Sequence, residues 1–252
     1  MDGQRVGVTA TEITLSAEGL DAGTRVSAAR AWIWAMARNE GVALPDALFH
    51  HQGGEAPAEH KPTILWRPAR GGVRIIAVGG ASQSVLLQAL EPLVGLLTRA
   101  THRRVGISVD PMKPVSAVAR GGVRRSYHAV NVVVAKRDSA WARWNAMNGD
   151  ARKDFMVALL ERHLSLLANA WGVDEPIGGW QVRVQEIVEG DGSNAVLTRG
   201  IGRHGKTIYG LRLDRVRFSS SVHLEGPWCV GHGASKGWGR ILPARVARAR
   251  HE

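Results

Sequence analysis

The stretch TILWRPARGGVRIIAV at residues 63–78 decides the fold of the first half of the chain. Its two apolar runs, at residues 63–66 and 73–78, flank a Gly-Gly pair that favours a turn, so the pattern predicts two connected strands. The next segment, residues 82–99, has apolar side chains at three- and four-residue spacing and predicts an amphipathic helix. A short apolar run at residues 105–109 predicts a further strand.

The same elements occur upstream of this stretch. Residues 6–15 alternate between apolar and polar side chains and predict a strand, and residues 24–40 carry one apolar helical face. Residues 45–62 are rich in turn-forming residues and predict a loop. Strand, helix, strand, strand, helix, strand is the ferredoxin-like (RRM-like) order. We therefore predict an α+β protein with a ferredoxin-like domain at residues 1–110.

The second half repeats this alternation less regularly. Residues 111–252 predict a second ferredoxin-like domain, with a basic helical insertion at about 138–172 and a glycine-rich loop at 231–240. The predicted strands of this half lie at residues 115–118, 127–135, 180–188, 196–198, 208–213 and 216–222.

Composition excludes several classes of protein. A hydrophobic fraction of 44% excludes a disordered chain, and a single cysteine, Cys229, excludes a disulfide framework and four-cysteine zinc folds. The sequence has no apolar signal segment and no run of eighteen apolar residues, so we expect a cytoplasmic protein without a membrane segment.

The positive charge lies in the second half. The formal net charge of the chain is +11, with 33 basic and 22 acidic side chains. Only 11 of the basic residues but 10 of the acidic ones fall in residues 1–110. A field concentrated in one half indicates a polyanionic partner. A GC-rich genome is the alternative explanation for the excess of arginine over lysine.

Basic residues near turns and tryptophans are the first candidates for RNA contact, since aromatic rings stack bases while arginine pairs with phosphate. The alternative for each tryptophan is a core position. From these segments we predict RNA contacts by Arg25, Arg120, Arg124, Arg125, Arg137, Arg143 and Trp144.

Residues 200–207 match the phosphate-loop pattern G-x-x-x-x-G-K-[ST]. That motif requires a helix after it, whereas the residues that follow here alternate between apolar and polar and predict a strand. A nucleotide-hydrolysing site is therefore the weaker reading. We predict instead a glycine-rich hairpin tip that offers Arg203, His204 and Lys206 to an anion.

The segment GHGASKGWGR at residues 231–240 carries four glycines, which allow the backbone to approach a ligand closely. Successive N–H groups in such a loop form an anion-binding nest, and an ordinary glycine-rich turn is the alternative. The residues predicted to contact RNA here are Gly231, His232, Gly233, Ser235, Lys236, Gly237, Trp238, Gly239 and Arg240.

This loop, followed by an apolar pair, resembles the C-terminal glycine-rich element of the repeat-associated (RAMP) superfamily of CRISPR RNA-processing endoribonucleases. The arginine-bearing helical stretch is similar to that of the type IV CRISPR nuclease. The resemblance implies binding of a CRISPR repeat hairpin and metal-independent cleavage by 2′-hydroxyl attack, giving a 2′,3′-cyclic phosphate without any cofactor. It also implies that the protein stays bound to the mature crRNA with other CRISPR effector subunits.

In that superfamily the catalytic residues often lie on or just after the first helix. Here this region offers His50 and His51 as acid and base, and Arg30 and Arg38 as cations for the charged transition state. Solvated histidines and a solvated helix face are the alternatives. A non-catalytic RNA-binding subunit of the superfamily and a general RNA-binding module also stay open.

Overall fold

The first half forms a four-stranded antiparallel sheet in the order β2-β3-β1-β4, with helices on one face. We analysed a computed structural model, which describes residues 7–17, 26–49, 62–135, 138–190, 195–198 and 208–244. The elements of this half are β1 Thr9–Ser16, α1 Val26–Asn39, α2 Asp46–Phe49, β2 Ile64–Ala69, β3 Gly72–Val78, α3 Gly80–Thr101 and β4 Gly106–Pro114. The sheet has the ferredoxin-like order predicted from the sequence.

The apolar stripes of the two long helices close the first core. Ile33 of α1 and Leu93 of α3 are fully buried against the helix-facing side of the sheet. Gly72 fits the turn between β2 and β3 because a Cβ atom there would lie 2.0 Å from the carbonyl oxygen of Leu15. Gly72 is therefore required by the close approach of β3 to β1, whereas Gly71 is favoured by its φ of 69°.

The second half contains a sheet with the same strand order, β11-β6-β9-β7, together with a β5–β10 ribbon and a short strand β8 on β9. Its elements are β5 Ser116–Ala119, β6 Arg125–Ala135, α4 Asp138–Ala146, α5 Gly149–Trp171, β7 Arg183–Glu189, β8 Ala195–Thr198, β9 Ile208–Ser220, β10 Val222–Glu225, a 3₁₀ helix at Ala234–Lys236, and β11 Arg240–Pro243. Tandem ferredoxin-like folds in an α+β protein are thus confirmed.

The helical stretch of the second half consists of two helices. α5 follows the first strand of the unit and takes the place of its first helix, so α4 is the added element. The second helix of the unit is replaced by β10 and the glycine-rich segment. The domain boundary after residue 110 remains a prediction; β4 continues to Pro114.

A second core joins the two halves. Leu65 and Ile76, on the face of the first sheet that carries no helices, belong to the same buried cluster as Leu160 of α5 and Phe218 of β9. The indole N–H of Trp171 donates a 3.0 Å hydrogen bond to the carbonyl of Pro62 across this contact. Among the described residues, no helix is long and apolar enough to cross a membrane.

Candidate nucleic-acid interface

The glycine loop, residues 231–239, runs along the edge of β6 beyond the end of β11. The N–H of His232 donates to the carbonyl of Val133 over 2.8 Å, and that of Gly239 donates to the carbonyl of Asn131 over 2.9 Å. The loop closes on itself through a 2.8 Å bond from Val230 N–H to the Gly239 carbonyl. The glycine loop therefore satisfies the strand edge that β11 leaves open.

The glycines of this loop are required by packing. A Cβ atom at Gly239 would lie 1.7 Å from the carbonyl oxygen of Val230, and one at Gly231 would lie 2.7 Å from that of Val133. Both residues have positive φ, 66° and 79°, which favours glycine. The close approach that the sequence suggested for a ligand is made to the protein's own backbone. RNA contact by the loop remains a prediction.

Arg30 connects the first helix to the glycine loop. Its Nη1 donates to the carbonyl and the hydroxyl of Ser235 over 3.2 and 3.3 Å, and its Nη2 donates to the carbonyl of Phe49. The guanidinium lies 5.8 Å from the ring centre of Trp66, and the side chain is buried. One cation of α1 thus joins the end of α2 to the glycine loop of the other half.

The end of α2 is also held by Trp66. The indole N–H of Trp66 donates a 2.8 Å bond to the carbonyl of Leu48, and its ring stacks on Phe49 at 5.8 Å. The predicted catalytic pair, His50 and His51, follows directly and lies outside the described residues. The backbone from which this pair departs is therefore fixed beside Arg30.

Two cations near the loop are almost fully buried. Burial lowers the pKa of Arg30 from its ordinary value to about 10. Burial also lowers the pKa of Arg67, whose Nη2 donates to the carbonyl of Pro227 over 3.4 Å. Both arginines link segments of the two halves through backbone carbonyls. Arg67 was not singled out from the sequence, because its place in an apolar strand gives no sign of that partner.

His163 of α5 is a further residue at the glycine loop, and its place on a core helix gives no sign of this contact in the sequence. Its Nδ1 accepts a 2.8 Å bond from the N–H of Gly231, so that nitrogen carries no proton in this arrangement. Its ring lies 6.0 Å from that of His232, edge to face. His163 therefore fixes the start of the glycine loop from the helix side.

The two candidate arginines of α1 are in different environments. Arg30 is 6% exposed, whereas Arg38 is exposed and lies 4.9 Å from the ring centre of Trp34. The two arginines therefore do not line one open groove on α1. Only Arg38 of the pair offers its guanidinium to solvent.

The basic turn between β5 and β6 places Arg120 and Arg125 in solvent. Arg124 instead folds against the sheet, where its Nη2 donates to the carbonyls of Gln181 and Ser219 over 2.5 and 3.0 Å. Burial, Arg120 and Arg125 together lower the pKa of His223, which Glu225 raises in part. The positive charges of Arg120 and Arg125 disfavour a further positive charge on His223, and the same charges attract an anion to the basic turn.

The structure corrects one predicted contact in the helical segment. Trp144 is only 2% exposed, and its ring packs edge to face on Phe155 at 5.8 Å. It is a core anchor rather than a stacking surface for bases, because an RNA base cannot reach its ring. Arg143 beside it is exposed and stays a predicted RNA contact.

Several predicted positions lie outside the described residues, and the side chain of Lys236 is likewise not described. These positions are Arg25, His50, His51, Arg137, Arg203 and Lys206. The segment matching the phosphate-loop pattern is among them, and the residues that follow it form β9, a strand, as predicted. Within the described segments, no group of three or more histidine, cysteine, aspartate or glutamate side chains is placed to hold a metal ion.

Comparison with known proteins agrees with this architecture. Csf5, a type IV Cas6 crRNA endonuclease, superposes with a TM-score of 0.60 at 18% identity, covering 94% of this chain and 99% of the other. A Cas6b crystal structure gives 0.60 at 12% identity, covering 94% of this chain and 100% of the other. No curated protein matches by sequence. The family model of the type IV CRISPR-associated endonuclease Csf5 matches residues 22–246, and the chain therefore belongs to that family of CRISPR RNA-processing proteins.

Proposed function

We propose that this chain cuts CRISPR repeat RNA without a metal ion, at the 3′ side of a hairpin held by its basic second half. One observation carries the proposal: Arg30 bonds both Phe49, the residue before His50, and Ser235 of the glycine loop. This supports a site in which the departure point of the histidine pair and the loop are held together. The family match supports the same substrate class.

The reaction needs a base, an acid and cations. One of His50 and His51 takes the proton of a ribose 2′-hydroxyl, whose oxygen then bonds to the adjacent phosphorus. The bond from phosphorus to the 5′-oxygen breaks, and that oxygen receives a proton from an acid. The products are a 2′,3′-cyclic phosphate and a 5′-hydroxyl RNA. In this proposal Arg38, the exposed one of the two α1 arginines, stabilises the added negative charge of the transition state.

Arg30 acts as a positioning residue in this proposal. Its two amino groups are occupied by backbone carbonyls and Ser235, so its contribution is to keep the end of α2 against the glycine loop. Arg30→Met retains much of the volume and removes all three hydrogen bonds. We expect it to lower the cleavage rate about tenfold or more through misplacement of the site, with less effect on RNA affinity.

After cleavage, we propose that the protein retains the repeat product and carries it into an effector complex with other CRISPR subunits. The excess of basic residues after residue 110 supports slow release, because each phosphate contact adds to affinity.

The test is cleavage of the host repeat RNA by purified protein in excess EDTA, with end-group analysis. We expect one cut, leaving a cyclic phosphate, and no cut when the nucleotide before the scissile bond lacks its 2′-hydroxyl. His50→Ala or His51→Ala is expected to slow cleavage at least about a hundredfold. His102→Asn, in an exposed position with a φ of 53° that asparagine tolerates, is the matched control.

Two results would contradict the proposal. Tight hairpin binding with no cleavage would assign the chain to the non-catalytic RNA-binding subunits. Cleavage that persists in both histidine variants would move the acid and base to other residues.

A further inference from the structure

The second sheet has one covered face and one face with a row of cations. Tyr127, Ala129, Val216 and Phe218 point towards α5 and are buried in the shared core. Their neighbours His128, Arg215 and Arg217 alternate with them and so point to the opposite side. We call this side the arginine face; its members are His128, Arg183, Arg215, Arg217 and Arg240.

The pairing register places these side chains beside one another. His128 of β6 lies directly opposite Arg217 of β9, with Leu242 of β11 on its other side. In the next row of outward-facing side chains, Val130 of β6 lies between Arg215 of β9 and Arg240 of β11. With Arg183 of β7, which pairs with β9, the arginine face therefore extends over four neighbouring strands.

The carboxylate of Glu186 balances part of this positive charge. Glu186 of β7 is opposite Arg217 in the register and lies 3.5 Å from Arg215, in an exposed ion pair. Arg217 is exposed and has no hydrogen-bond or ion-pair partner within the described part of the chain. Arg215 and Arg217 are exposed on the same face of β9, and a bound anion would relieve the repulsion between their like charges.

The arginine face is continuous with two elements predicted to bind RNA. At one end Arg124 bonds the hydroxyl of Ser219 over 3.3 Å, and Ser219 is paired with Arg183. At the other end Trp238 of the glycine loop packs on Val133, which is opposite Arg212. Arg240 follows the loop immediately. The face thus connects the basic turn to the glycine loop.

We infer that the arginine face binds the phosphodiester backbone of the RNA and guides it from the basic turn to the glycine loop. Arg215 and Arg217 are two residues apart on one strand, so their side chains emerge about 6.6 Å apart, a spacing comparable with that of neighbouring phosphates. Arginine binds phosphate through a planar two-pronged contact. The inference rests on the proposed function, since it assigns a surface to the same substrate.

The experiment uses a repeat RNA made uncleavable by a 2′-deoxy nucleotide at the cut site. Its affinity is measured by fluorescence anisotropy over a range of salt concentrations. Arg215→Gln with Arg217→Gln is compared with the control pair Arg70→Gln with Arg104→Gln, which removes the same charge from exposed positions in the first half. Thermal melting checks that both double variants fold.

We expect the double variant of the arginine face to lose about two units from the slope of log K against log salt, and about tenfold or more in affinity. The control pair changes either value much less. Repeating the titration with the hairpin stem alone identifies the source of the phosphates. An equal loss places the stem on the face, and a loss seen only with flanked RNA places the single strand there.

Equal salt slopes for the two double variants would overturn the inference while leaving the proposed function intact. Failure of the unmodified protein to bind the repeat at all would instead contradict the proposed function.

Discussion

The two sheets have the same strand order, but they differ in the face that carries no helices. This face packs against the other half in the first sheet and is exposed to solvent in the second. In the first sheet this face packs against the second half, where Ile76 and Leu65 are buried. Its cations are paired: Arg74 and Lys113 lie 3.4 and 3.2 Å from the carboxylate of Glu12, which is 9% exposed. In the second sheet the equivalent face presents exposed Arg215 and Arg217.

This difference explains how a repeated fold acquires one function. In the first unit, one face of the sheet packs against α1 and α3 and the other against the second half, so this unit serves as a scaffold. The second unit packs one face on α5 and leaves the other for a charged ligand. Most of the net charge of the chain also lies in this second half, since residues 111–252 hold 22 basic and 12 acidic side chains.

The largest expected effect comes from breaking the glycine loop between the two units. In Gly239→Ala the new Cβ would overlap the Val230 carbonyl at 1.7 Å, so the backbone must move. We expect a loss of more than about 4 kcal/mol in the free energy of unfolding, measured by urea denaturation.

Gly121→Ala is the control, because nothing lies within 4 Å of its added Cβ. Similar stability of the two variants would mean that the loop does not pack as described.

A matched pair of polar substitutions tests the contrast between the faces. Ile76→Gln buries an amide without a partner and should cost about 3 kcal/mol of unfolding free energy. Val130→Gln, on the arginine face and half-buried, should stay within about 0.5 kcal/mol. Equal losses of unfolding free energy in the two variants would show that the helix-free face is covered in both sheets, and would contradict the difference between the sheets.

The smallest expected effect concerns the pKa of His223, beside the basic turn between β5 and β6. Burial and the charges of Arg120 and Arg125 lower the pKa of His223 below 6.5. The folded state therefore binds fewer protons than the unfolded state near that pH, and this contribution to stability is lost as the pH falls below 6.5.

An NMR titration should give a His223 pKa below 6.5 that rises in Arg125→Gln. A His223 pKa at or above 6.5 in the unmodified protein would contradict this electrostatic picture.

The fold was predictable from the sequence because its signals are local. The apolar period of two in residues 63–78 and the helical period in 82–99 specify their elements without knowledge of distant contacts. The strand β9 was predicted in two pieces, since Asp214 interrupts its alternation; the structure carries the strand through that residue with an irregular register.

The site was less predictable because its contacts are long-range. Arg30 meets Ser235 across 205 positions of sequence, and His163 meets Gly231 across 68. The arginines of the sequence LRLDRVRF at 211–218 are visible as alternating charges. Whether these arginines are free to bind a ligand depends on which face of the sheet is covered, and the packing of α5 and the first sheet determines that face.

The claim that RNA binds the second sheet and not the first is tested most directly by ultraviolet crosslinking of the uncleavable repeat RNA to the unmodified protein. The crosslinked peptides are identified by mass spectrometry. We predict crosslinks in peptides from β6, β9 and the glycine loop, and none from β1 or β3. Crosslinks confined to the first half would contradict the assignment of RNA binding to the second sheet.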